Sequence, residues 1–301
     1  MQQTIKQRDI AGWLIIDKPQ GITSAAVVRR VKSVYQVKKV GHAGTLDPLA
    51  TGVLAVAIGE ATKTIPFVTE SLKVYAFVMR LGEATDTDDA EGKVIATSGR
   101  RPSKNELQRV LKDFVGDVRQ IPPNYSAIKV KGQRAYALAR TGHSPQLSAR
   151  RVRIEKLVLC EQPDNDHLSL RITCGKGTYV RSVARDIGKR LGCFAHIRSL
   201  RRLSSAPFSI VDALPYEQIA RSADPSELDD RILPVESALI DLHEVNCSNE
   251  QAQRLQNGNP VQIAPPPNEV AHRCWASLNG RVIAVGKYSD GLLRPSRVFR
   301  Y

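Results

Sequence analysis

The strand and helix patterns of this sequence are compatible with an α+β protein, a large domain of residues 1–241 followed by a small one of residues 242–301. Three observations carry that reading. Apolar strand-like runs alternate with helical segments through the first two-thirds of the chain. A hairpin is signalled by two strand patterns at residues 151–160 and 167–174, and another by Asn279-Gly280. A chain of 301 residues also exceeds one typical domain, and its residues 222–241 form a connector rich in Asp, Glu, Ser and Pro.

In chain order, residues 13–17 read as a short buried strand, and Thr23-Ser24 before Ala25-Ala26-Val27-Val28 as a helix start. Residues 52–59 read as a buried strand and 61–70 as a helix. Residues 73–82 are a strand, with Val74, Ala76 and Val78 on one face and Tyr75, Phe77 and Met79 on the other. Asp86, Asp88 and Asp89 form the densest acid cluster, but no later acid completes a calcium loop, so a polar turn is expected. Ser103 caps a helix at 104–115. Thr178 is expected to cap a helix at 179–191, which places Tyr179 and Arg181 in its first turn. A cation there opposes the helix dipole, which points to an anion facing Arg181. The tail holds a helix near residues 248–256, a break at Pro265-Pro266-Pro267 and strands around Asn279-Gly280.

The regular elements flank an unusual loop, Gly41-His42-Ala43-Gly44-Thr45-Leu46-Asp47-Pro48-Leu49-Ala50-Thr51-Gly52. Its glycines allow close turning, and Pro48 biases Asp47 away from the helical region. Leu46, Leu49, Ala50 and Val53 disfavour a charged carboxylate, so an ionised Asp47 requires a cation or several donors. A plain turn cap is the alternative for Asp47.

Charge narrows the function. Lys and Arg number 44 against 30 Asp and Glu, a formal +14 that suggests a polyanionic partner. Residues 118–154 contain no acid, yet carry Arg119, Lys129, Lys131, Arg134, Arg140, Arg150, Arg151 and Arg153. With the prolines, glycines and tyrosines among them, they suit an arm that closes on a phosphate backbone; a solvated basic hairpin is the alternative. Arg198, Arg201 and Arg202 add positive charge further on. Five unpaired-looking cysteines and six scattered histidines support neither a disulfide framework nor a metal site. Gly175-Lys176-Gly177-Thr178 lacks the first glycine of a P-loop, which removes nucleotide hydrolysis. No apolar run approaches the roughly 20 residues of a spanning helix, and the first residues lack a signal-peptide core. A soluble cytoplasmic protein is expected.

The Asp47 loop, extended through Val53-Leu54, closely resembles the active-site motif of the TruB class of tRNA pseudouridine synthases. Gly12-Trp13-Leu14-Ile15-Ile16-Asp17-Lys18-Pro19, Lys73-Val74-Tyr75, Pro122-Pro123, Tyr125-Ser126-Ala127, Gly177-Thr178-Tyr179-Val180-Arg181 and Leu200-Arg201-Arg202 resemble it too, in order over most of the first 205 residues. The resemblance implies a catalytic domain around a mixed, mostly antiparallel sheet and a small C-terminal PUA-like RNA-binding domain. It implies isomerisation of uridine-55 to pseudouridine in the T-loop of tRNA, by base flipping and without a cofactor or metal. A monomer needing no protein partner is the family expectation. Asp47 is then the nucleophile, Arg181 its ion-pair partner, and Tyr75 the residue that stacks on the base or takes part in the proton step at C5. His42, Tyr179 and Leu200 serve the extruded nucleotide, while Lys18 is structural or RNA-facing. Lys129, Lys131, Arg134, Arg140, Arg150, Arg151 and Arg202 are candidates for the RNA backbone. Loss of Arg181 is expected to cut activity and leave the fold intact. Three alternatives stand beside this reading: a non-catalytic RNA-binding or RNA-folding protein, a guide-RNA-dependent relative, and a metal-dependent hydrolase built on Asp86, Asp88 and Asp89.

Overall fold

The computed structural model describes residues 8–130, 132–141, 146–222, 224–265 and 273–301. Its centre is a mixed sheet of eleven strands. The main path runs Leu214–Pro215, Gly12–Lys18, Thr51–Ile58, Ala195–Ser205, Lys73–Leu81, His167–Cys174, Arg150–Glu161 and Gly116–Gln120. Gly12–Lys18 pairs parallel with Leu214–Pro215, as Thr51–Ile58 does with Ala195–Ser205, and the other neighbours on this path are antiparallel.

Alternation along the strands sorts side chains between two cores. Leu14 and Ile16 of the first strand join Phe77, Met79, Leu168, Leu170 and Ile172 beneath the helices Ser24–Tyr35, Lys104–Asp113 and Val180–Leu191. Trp13 and Ile15 point the other way, into a core with Trp275, Val282, Val285 and Phe299. That second core seats the C-terminal part on the large sheet. Because the first strand is covered on both faces, its sequence is continuously apolar rather than alternating.

Local chemistry explains the helix ends. Thr23 accepts a hydrogen bond from the Ala26 amide and starts the helix Ser24–Tyr35, and Ser103 with Glu106 forms a capping box ahead of Lys104–Asp113. Residues 61–70 are two pieces rather than the one expected helix: a 3-10 turn over Gly59–Thr64, then the helix Ile65–Glu70. Pro66 sits in the first turn of the second piece, where its missing N–H costs no helical bond.

The C-terminal part is a five-stranded sheet, ordered His243–Asn246, Arg273–Leu278, Arg281–Ser289, Leu292–Val298 and Val261–Gln262, with the helix Asn249–Gln256 against it. Asn279 and Gly280 both have positive φ, 52° and 75°, as a two-residue hairpin turn matching strand twist requires. Pro266 and Pro267 of the expected break lie outside the described residues.

The acid-free segment is rooted in the sheet. Gly116–Gln120 and Arg150–Glu161 are antiparallel neighbours at the edge, and between them lie the strands Lys129–Val130 and Gln133–Arg134 and the helix Ala135–Arg140.

Candidate active site

The Asp47 loop is pinned at both ends and in the middle. Buried Ser24 donates to the Leu46 carbonyl at 3.0 Å and accepts from its amide at 2.9 Å. The Gly21 amide donates to the Pro48 carbonyl at 2.9 Å, and the Ala50 amide to the Asp47 carbonyl at 3.0 Å. Leu46, Leu49 and Ala50 are buried and anchor the loop in the main core. Gly44 and Gly52 have φ of +97° and +98°, angles that other residues strongly resist.

Lys18 is fully buried beneath this loop, and its ammonium donates to the carbonyls of Pro19, Ile22 and Pro48. Burial lowers its pKa to about 8 against the opposing pull of Asp47. Of the two roles expected for it, the structural one holds. Lys73 is its counterpart across the site: buried, also lowered to about 8 by burial, and bonded to the carbonyls of Val68, Thr69 and Ser71 at the end of the helix Ile65–Glu70.

Arg181 meets Asp47 as expected. Its Nε and Nη2 each lie 2.9 Å from Asp47 Oδ2. The remaining donors are also used, Nη1 on the Thr87 carbonyl and Nη2 on the Tyr125 carbonyl, both at 2.9 Å. Asp89, also buried, stands 3.7 Å from Nε. The Arg181 side chain is 4% exposed and that of Asp47 37%, so the cation is sealed while the carboxylate opens to solvent. The helix begins at Val180 with Tyr179 as its cap, one residue later than expected, because the Thr178 hydroxyl donates back to the Gly175 carbonyl. Buried Gln120 holds Tyr179 by both backbone groups, which docks the root of the basic arm on the site.

Asp47, Tyr75, Tyr179, Arg181 and Leu200 line one cleft of about 260 Å³. Burial raises the Tyr75 phenol, and the positive charge of the neighbouring Arg202 partly offsets that rise. Burial likewise raises Tyr179. His42 stands outside the cleft lining, on the strand Val40–His42. Its Nδ1 is buried with no hydrogen-bond partner among the described residues, and burial together with the Arg202 charge keeps the imidazole below its usual range.

Three comparisons bear on this geometry. The family model described as TruB family pseudouridylate synthase (N terminal domain) matches residues 32–180. The tRNA pseudouridylate synthase B C-terminal domain matches 181–240, and Pseudouridine synthase II TruB, C-terminal matches 244–299. A relative from Ruegeria pomeroyi named tRNA pseudouridine synthase B is 52% identical over 299 residues, 99% of each chain. The chain belongs to the TruB family. A second relative of that name, from Rhizobium johnstonii, is 41% identical over 302 residues, covering 98% of this chain and 97% of its own. Among solved structures, a chain of an H/ACA RNP bound to a substrate RNA has a TM-score of 0.73 at 22% identity, covering 96% of this chain and 85% of that one. This last likeness speaks to the fold, which is that of the pseudouridine synthases.

Within this TruB-family site, several sequence expectations change. Arg202 does not face RNA: it is 1% exposed, with Nε on the Val53 carbonyl at 2.6 Å and Nη2 on the Gly44 carbonyl at 3.0 Å. The reason is a one-residue bulge between Ile197 and Ser199, which reverses the facing of the strand so that Leu200 and Arg202 turn inward and Arg201 outward. Arg201 then pairs with Asp17 at 2.7 Å. The acid cluster also has a different use: Asp89 faces Arg181, Asp88 accepts from Arg185 at 2.9 Å, and Asp86 accepts from the Lys93 amide. Asp88 and Asp89 thus each face an arginine, and Asp86 a backbone amide. The cost of losing Arg181 changes too, since Asp89 and two carbonyls depend on it. Lys129, Arg150 and Arg151 are exposed on the arm; Lys131 lies outside the described residues, as do the side chains of Arg134 and Arg140. Sequence reasoning missed the shared contacts of Thr87, Asp89 and Tyr125 with Arg181, and only the density of acids at 86–89 hinted at them.

Proposed function

We propose that this chain isomerises uridine-55 to pseudouridine in the T-loop of tRNA, with Asp47 as the nucleophile. The observation that carries this is the Asp47–Arg181 pair at the cleft floor. Both Arg181 contacts go to Oδ2, so the pair fixes the carboxylate in place while Oδ1 faces a ligand. Breaking the ribose–N1 bond, turning the base and joining C5 to the same sugar carbon conserves every atom, and the C5 proton is exchanged for one on N1. Such a step needs a nucleophile held in place and a shielded space for the base.

Reaching that space requires flipping the nucleotide, at a cost of a few kcal/mol that stacking and backbone contacts offset. Tyr75 is assigned to the face of the base, Tyr179 and Leu200 to its edges, and His42 to the space the nucleotide leaves. The arm supplies the grip: Arg119 and Arg151, both exposed, lie directly opposite each other on paired strands, a like-charge placement that a bound phosphate relieves. Lys129 and Arg150 extend it, and Lys131, Arg134 and Arg140 belong to the same segment. We take the five-stranded part, residues 242–301, as the PUA-like RNA-binding domain beside a catalytic domain of residues 1–241. We take the protein as a monomer that needs no protein partner, and a cytoplasmic setting goes with a tRNA substrate. Among the described residues no helix is long and apolar enough to cross a membrane.

The test uses unmodified tRNA, a chelator, wild-type protein and Asp47→Asn, with pseudouridine mapped at every position. Modification of the T-loop uridine by wild type alone is expected. Tight tRNA binding with no modified uridine in either sample would favour the RNA-binding alternative.

A further inference from the structure

The Asp47–Arg181 pair leaves one buried cation of the site unexplained. Arg202 has no carboxylate partner among the described residues; its guanidinium donates to the Val53 and Gly44 carbonyls, and its strand position places it directly beside Tyr75. A sealed guanidinium without a counter-charge is costly, so what it holds together is informative. Its position in the sheet shows what it joins. Arg202 lies directly opposite Tyr75 on one side and Gly52 on the other, in the two-residue stretch, Arg201 and Arg202, where both neighbouring strands meet its own in register. A Cβ at Gly52 would come within 2.2 Å of the Arg202 carbonyl, so the approach tolerates nothing larger than glycine. The bulge near Arg198 turns the side chain inward, and from there it reaches carbonyls on both sides of the catalytic aspartate, at Gly44 before it and Val53 after it.

We propose that Arg202 is a positioning residue that clamps the two ends of the Asp47 loop to the Tyr75 hydroxyl, fixing aspartate and aromatic ring as one unit. In this role the phenol oxygen takes a guanidinium N–H, and the single phenol proton then points away from Arg202. The hydroxyl is thereby oriented as a donor within the site rather than free to rotate. This deepens the pseudouridine synthase reading and rests on it. Arg202 touches no substrate in this role and acts through Tyr75 and the loop.

The experiment compares full-length wild type, Arg202→Lys, Tyr75→Phe and the double variant, with unmodified tRNA under single-turnover conditions and tRNA Kd measured in parallel. Arg202→Lys is expected to slow the chemical step by about 10- to 100-fold, the cost of a small misplacement, with tRNA Kd changed less than about threefold. The double variant should be no slower than the slower single one, because both changes cut the same link. Losses that multiply would overturn the proposal. A spectroscopic arm is independent of turnover: with tyrosine labelled at Cζ, the signal that Tyr75→Phe deletes should be displaced in Arg202→Lys while those of the other tyrosines stay. An unmoved Tyr75 signal would also overturn it. Should Arg202→Lys fail to fold, Tyr75→Phe reads the same bond from the other end, since it deletes one oxygen and should displace the guanidinium nitrogen signals of Arg202; unchanged signals sink the idea. A wild type that makes no pseudouridine counts against the enzyme reading, whereas the resonance measurements judge the Arg202–Tyr75 link by itself.

Discussion

Replacing Arg181 tests the proposed catalytic pairing against folding, because its guanidinium contacts both the Asp47 carboxylate and buried acceptors. Arg181→Met takes the cation from beside buried Asp89, 3.7 Å away, leaving that carboxylate with only the Thr87 hydroxyl and the Glu91 amide, and removes the donors to the Thr87 and Tyr125 carbonyls. Breaking a buried pair from one side costs about 3–5 kcal/mol. Each orphaned carbonyl adds up to about 1–3 kcal/mol where water cannot reach it. The Asp47 side adds little to stability, since that carboxylate is 37% exposed and largely screened. A fall in Tm of roughly 5–15 °C follows for a chain of this size. Arg181→Lys behaves differently. Its ammonium keeps the charge and up to three donors but loses the planar fork, so folding is mostly preserved while Asp47 is held less rigidly. The single-turnover rate should then drop by about 10²–10³, the scale seen when one oriented donor is removed from a reacting centre. The assay is pseudouridine formation with enzyme in excess over unmodified tRNA, beside tRNA Kd and Tm for both variants. A lysine variant at the wild-type rate would refute the claim that the forked contact to Asp47 matters.

Three further outcomes are expected. Gly52→Ala places a methyl 2.2 Å from a backbone oxygen at φ +98°, so calorimetry should show a loss of at least about 1–3 kcal/mol; an unchanged Tm would mean that the strands separate freely there. Lys18 and Lys73, both lowered to about 8 by burial, should discharge as pH rises, leaving each amine two N–H groups for three carbonyls, and the single-turnover rate should fall through about pH 8. Stability moves the other way: the unfolded lysine keeps its proton up to about pH 10.4, so the unfolded state binds more protons and these two groups favour folding increasingly from about 8 upward. A rate that stays flat across this range contradicts the assignment. Lys129→Ala with Arg151→Ala should reduce the slope of log Kd against log salt by about one unit or more if both contact phosphates, and an unchanged slope would show that the arm faces water.

How much of this was legible in the sequence depends on how local the cause is. The helix starts at Thr23, Ser103 and Ser248, the hairpin turn at Asn279-Gly280 and the strand runs follow from side chains acting on backbone within a few residues. The Asp47 loop and the pairing with Arg181 were readable for a related reason: a carboxylate among apolar neighbours and a cation at a helix start each demand an opposite charge. What the sequence could not show is which way a strand faces after a bulge. Arg201 and Arg202 are adjacent and chemically identical, yet one pairs with Asp17 near the surface and the other is sealed behind Tyr75. The same holds for Thr178, whose hydroxyl turned back to Gly175, and for Lys18, whose carbonyl partners include one 30 residues away. By itself the sequence determined the local elements and the chemical needs of the site, because these arise from near neighbours. Only the tertiary structure decided which distant carbonyls and carboxylates met those needs, because strand register and one extra residue in a bulge set the direction of every side chain beyond it.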